Sequence, residues 1–141
     1  GTSYIESKFK NIKKPNPKII FDLANFYKNS KNYELAIDYY SRLISSLEDT
    51  SVIKSDILYR RGGSYERLGN YEKSDEDLLH ALRIRPNDAY VLNYLAYSWL
   101  ERDYKIDEAM EMLKIAYDSK SNDPYIIDSI GWAYFLIDEY K

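Results

Sequence analysis

The stretch ILYRRGGSYERLGNYEKSDEDLLHALRIRP, residues 57–86, decides the fold. Its apolar and small residues recur at intervals of three and four: Leu58, Gly62 and Tyr65 in the first half, Ser74, Leu78 and Ala81 in the second. That spacing is helical, whereas a strand would alternate by two. Gly69 and Asn70 separate the halves, a helix-ending glycine followed by a helix-starting asparagine. Pro86 closes the stretch, where a helix interior would not tolerate it. The reading is two helices joined by a tight turn.

The same pattern recurs along the chain. IIFDLANFY (19–27), ILYRRGGSY (57–65), VLNYLAYSW (91–99) and IIDSIGWAY (126–134) each place a small residue three positions before an aromatic. The small residues are Ala24, Gly62, Ala96 and Gly131, and the aromatics are Tyr27, Tyr65, Trp99 and Tyr134. Both landmarks advance by 38, 34 and 35 residues, so two independent features keep one register. A second helical stretch follows each of the first three, with small residues at Ala36, Ser74 and Ala109. Where the two small residues of a unit meet, two helix backbones approach closely, and a leucine there would overpack the crossing by about 1–3 kcal/mol. Asn32 and Asn70 read as N-caps, with Glu34 and Glu72 in the dipole-favoured first turn. Pro86 and Asp123-Pro124 fall between units.

This arrangement of aromatic, Leu, Gly/Ala, Tyr, Ala and Pro resembles the tetratricopeptide repeat (TPR) family, whose unit is about 34 residues. The match is carried best by Leu58, Gly62, Tyr65, Gly69, Tyr71, Leu78, Ala81 and Pro86, and extends over residues 17–138. The third and fourth units also look like parts of TPR arrays in long bacterial proteins. The resemblance implies an all-α, right-handed solenoid of antiparallel helix pairs, about eight helices in all. Residues 1–16 would be the orphan second helix of a preceding repeat and a linker, with Ile5, Phe9 and Ile12 at helical spacing. Units would follow at 17–51, 52–87 and 88–123, and 124–141 would be the first helix of an incomplete fourth. Such ends are expected of a longer natural protein, or of a chain whose ends pair between molecules.

Three departures from the repeat stand out. Four extra residues lie near 45–51. Arg61 stands where Leu23, Leu95 and Ile130 are apolar, which predicts a wet face or an ion pair. Ser74 and Asp75 replace Ala36 and Ile37, so the second unit is expected to pack least tightly.

Composition limits what the chain does. There is no cysteine, which removes disulfides and thiolate chemistry and leaves cytoplasm and periplasm equally open. Net charge is −3, and the cluster Lys8, Lys10, Lys13, Lys14 and Lys18 reads as a solvated helix end, so nucleic acid is not an expected partner. No apolar run approaches the ~20 residues that span a membrane. His80 is the only histidine, and no phosphate loop, zinc motif or nucleophile elbow occurs. Acids such as Asp75/Asp77 and Asp107/Glu108 read as solvated helix starts. No catalytic residue, cofactor or metal is therefore expected: the chain reads as a binding scaffold, not an enzyme.

Sixteen tyrosines against two tryptophans and four phenylalanines suit a half-wet binding surface. In the family the first helices line a concave face. Carried over, its groove positions give Asn25, Tyr59, Arg60, Tyr90, Asn93, Tyr94, Tyr97 and Asp128 as the residues expected to hold a partner peptide. The clamp with which some TPR domains grip heat-shock chaperone tails falls on Phe21, Asn25, Arg60, Tyr90 and Tyr94, and only Asn25 keeps the clamp residue. The alternative to peptide binding is self-association through exposed end helices.

Overall fold

The computed structural model describes residues 16–139, and every regular element among them is an α-helix. They are α1 (Pro17–Asn29), α2 (Tyr33–Ile44), α3 (Val52–Arg67), α4 (Tyr71–Ile84), α5 (Ala89–Glu101), α6 (Ile106–Ser119) and α7 (Pro124–Glu139). The eighth expected helix, at residues 4–12, lies outside the described residues. Antiparallel pairs α1/α2, α3/α4 and α5/α6 stack in sequence with α7 against the last, forming an α-solenoid.

Local chemistry sets the helix ends. Asn32 Oδ1 accepts from the Leu35 amide at 3.4 Å, and Asn70 Oδ1 from the Lys73 amide at 3.3 Å, as their sequence positions predict. Pro17 and Pro124 occupy the first turn of α1 and α7, where a missing N–H costs nothing. Gly69 follows α3 with φ +79°, and Lys31 and Asp103 adopt the same left-handed conformation after α1 and α5. The inserted loop is pinned by Asp49, which takes Lys54 Nζ at 2.8 Å and faces His80 Nε2 at 3.0 Å. That contact is what the lone histidine does.

The core consists of the crossings that the small residues mark. Ala24, Ala36, Ala96 and Ala109 are fully buried, beside Tyr27 and Tyr40 in the first pair and Leu95, Trp99 and Leu113 in the third. In the second pair a Cβ on Gly62 would lie 3.0 Å from Leu78 Cγ and 3.1 Å from Asp77 Cβ. Any larger residue would make Leu78 and Asp77 give way by a few tenths of an ångström. Ser74, which replaces alanine there, is fully buried as the alanines of the other pairs are. Gly131 differs. Nothing lies within 4 Å of a Cβ built on it, and its neighbours Ile127 and Tyr134 are exposed.

Arg61 resolves as an ion pair. Its Nε and Nη2 each donate to the Asp77 carboxylate at 2.7 Å, and Nη1 donates to Ser41 Oγ at 3.1 Å. Asp75 likewise takes Arg102 Nη2 at 2.8 Å. Neither acid is the solvated helix start that the sequence suggests: Asp77 is buried, and Asp75 is half-buried against the end of α5.

Two stability measurements follow from these crossings. Gly62→Leu lowers the free energy of unfolding in urea by about 1–3 kcal/mol through overpacking, whereas Gly131→Ala raises it by about 0.5–1 kcal/mol, the helix-propensity gain without a clash. Asp77→Ala strands a mostly buried guanidinium and costs about 3–5 kcal/mol. The double variant Arg61→Leu/Asp77→Met, which copies the Leu95/Met112 arrangement of the third pair, recovers stability to within about 1 kcal/mol of the parent.

Candidate functional groove

The first helices of the pairs, α1, α3, α5 and α7, lie side by side and bound two adjoining depressions. The larger, about 550 Å³, is lined from α3, α5 and α7 by residues that include Glu66, Tyr94, Tyr97, Tyr125, Asp128 and Trp132. The smaller, about 340 Å³, is lined by Lys28 of α1, Tyr33 at the start of α2, Tyr59, Arg60, Gly63 and Arg67 of α3, and Tyr94 of α5. Arg67 and Tyr94 belong to both, so together they form one groove.

Hydrogen bonds along the groove tie each first helix to the next. Between α1 and α3, Arg60 Nη1 donates to Asn25 Oδ1 at 3.2 Å, and its guanidinium sits 5.1 Å from the centroid of the Phe21 ring. Tyr40 of α2 also donates its hydroxyl to Asn25 Oδ1. Between α3 and α5, Tyr94 Oη donates to Glu66 Oε2 at 2.8 Å, and the Tyr59 and Tyr94 rings meet edge-on at 5.9 Å. Between α5 and α7, Trp132 Nε1 donates to Glu101 Oε1 at 2.7 Å and Tyr90 Oη to Asp123 Oδ2 at 2.5 Å.

Three of the groove tyrosines hold their phenol protons more tightly than usual. Burial, with smaller contributions from Tyr125 and Asp88, pushes Tyr59 up to about 12. Burial first and the Glu66 carboxylate second hold Tyr94 well above the usual phenol range. Burial and then Glu101 raise Tyr97.

The eight expected groove residues therefore divide by what their polar atoms already do. Tyr59, Tyr97 and Asp128 present side chains to the groove, with Tyr97 and Asp128 exposed. Arg60 also lines it while paired with Asp56 and Asn25. Asn25, Tyr90 and Tyr94 spend their polar atoms on struts between helices. Asn93 departs from expectation. It is fully buried, with the Tyr125 side chain against it, so a groove ligand does not reach it. Glu66, Arg67 and Ser98 line the groove without having been singled out, and so does Tyr33. Glu66 and Arg67 continue the helical stripe of Tyr59 and Gly63 into the last turn of α3, and that periodicity is the signal that finds them.

No helix among the described residues is long and apolar enough to cross a membrane.

Residues 17–46 and 55–88 match the family model described as tetratricopeptide repeat. A TPR repeat-containing protein of Pseudomonas aeruginosa is 31% identical over 77 residues, which are 55% of this chain and 13% of that protein. One of Methanocaldococcus jannaschii is 40% identical over 80 residues, 57% of this chain and again 13% of the relative. This chain thus spans a small part of the relatives it matches. The TPR domain of Sgt2 from Aspergillus fumigatus superposes with a TM-score of 0.75 at 20% identity, covering 90% of this chain and 82% of that one. The first TPR of Spaghetti (RPAP3), solved bound to an HSP90 peptide, gives 0.74 at 14% identity, covering 86% and 93%.

Proposed function

From the chain's place in the tetratricopeptide repeat family, with the repeats at 17–46 and 55–88, we propose that it is a protein-interaction scaffold holding a partner segment in the groove of its first helices. One observation carries this reading: two adjoining depressions lie on the first-helix face, lined by aromatic rings whose polar neighbours are fixed by hydrogen bonds between helices. Aromatic anchors on a rigid floor give binding energy at low ordering cost. The Spaghetti domain, which shares this fold, was solved with a peptide bound. Here Tyr97 and Trp132 are anchors open to a ligand, at 37% and 39% exposure, with Tyr125 and Asp128 beside them.

A second reading rests on α7. Ile127 and Tyr134 are exposed and flank the open surface of Gly131, a small-residue face of the kind that packs a partner helix in the other pairs. A second copy would cover that face and make the chain self-associate.

Affinity capture from a lysate of the source organism tests the first reading. Tyr97→Ala/Trp132→Ala should lose a partner that wild type and the outer-helix control Leu79→Ala both retain. Identical partners in all three lanes would sink the groove reading. Light scattering on the same samples reads the second, which a monomer at every concentration excludes.

A further inference from the structure

The smaller depression is chemically one-sided. Its walls carry Lys28, Arg60 and Arg67, with the phenols of Tyr33 and Tyr59 beside them. The carboxylate nearest these cations, Asp56, is taken by Arg60 Nε at 3.2 Å. Lys28 and Arg67 have no carboxylate within ion-pair distance among the described residues, and the Arg67 guanidinium instead lies 5.9 Å from the Tyr33 ring centroid. Gly63 puts no side chain into the floor between them.

The charge is therefore poorly compensated. Burial first, and the Arg60 charge second, hold the Lys28 ammonium below its usual range, and Asp56 offsets this only in part. Cations crowded on a half-buried wall with spare donors are stabilised by an oxyanion, which a guanidinium can grip with two parallel hydrogen bonds. The larger depression shares Arg67 but adds the acids Glu66 and Asp128 to its walls. The groove thus runs from basic at α1–α3 to acidic at α5–α7.

Resting on the groove reading above, we infer that the pocket of Lys28, Arg60 and Arg67 is an oxyanion subsite, taking a carboxylate or phosphoryl group of the partner segment and orienting that group toward α1. Arg60 stands at one of the five positions of the heat-shock clamp, whereas Lys28 and Arg67, which the proposal adds, lie outside them.

The test has two parts. First, the isotope-labelled full chain is titrated separately with inorganic phosphate and with acetate, and the Gly63 amide and Arg67 Nε–H signals are followed by NMR. Saturable shifts at both signals support the subsite if the Gly63 amide shift weakens at least fivefold in Lys28→Gln/Arg67→Gln and persists in Lys28→Arg. A response to phosphate alone assigns a phosphoryl group, and a response to acetate a carboxylate. Arg67→Gln alone, at an exposed position, serves if the double variant loses its dispersed spectrum. Absence of saturable shifts in both arms, or equal shifts in the variants, overturns the proposal.

Second, random dodecapeptides on phage are selected against wild type. Enrichment in acidic residues, with binding lost in the Lys28/Arg67 variant, supports it. Selected peptides that need Tyr97 and Trp132, yet show no acidic enrichment and bind the variant equally, overturn it and leave the groove reading intact. Anion binding as expected, with no groove-dependent peptide selected, supports the subsite for a free anion and removes the peptide-groove reading instead.

Discussion

The close crossing of two helices within each pair is the constraint on which the rest depends. At Gly62 the backbone of α3 comes so near α4 that a single added carbon would sit 3.0 Å from Leu78. Ala24 and Ala36 in the first pair, and Ala96 and Ala109 in the third, are likewise fully buried. Once each pair is closed at one point, the aromatic one turn on fills the wedge. The spacing between pairs then follows from what the outer surfaces can pack. The first helices are set side by side at a separation that their own side chains can bridge, and the groove is the result.

That bridging explains why so many polar side chains cluster on one face without being free to bind. Asn25, Tyr90, Tyr94, Glu66 and Glu101 form a ladder of hydrogen bonds across α1, α3, α5 and α7, closed by Trp132 Nε1, whose ring stays exposed. Such a ladder fixes the groove before any ligand arrives, which reduces the ordering cost of binding. On the proposed reading, recognition falls to the rings between the rungs and to the charges at either end. The two ends differ in charge, with Lys28 and Arg60 at one and Asp128 at the other.

How much of this is legible in the sequence depends on how local each determinant is. Caps at Asn32 and Asn70, the left-handed Gly69 and the small-residue register are set within a few residues or by strict repetition, and all are readable. Arg61 announces an ion pair by breaking an apolar column, but its partner Asp77 looks like any acid near a helix start. Only the approach of α3 reveals it as buried. Asn93 misleads for the same reason. Its helical position points toward the groove, and what covers it is Tyr125, from a helix more than thirty residues on. Lys28 and Arg67 lie far apart in sequence and become one charged pocket only when α1 and α3 align.

Site-specific photo-crosslinking most directly tests whether the face of the first helices is the recognition surface. A photoreactive phenylalanine replaces Tyr97 in the groove or, in a parallel sample, Leu79 on the exposed side of α4, before exposure to a captured partner. A groove-held segment gives a crosslinked product from position 97 and none from 79. Crosslinking from 79 alone would place the partner on the outer helices and contradict the central claim.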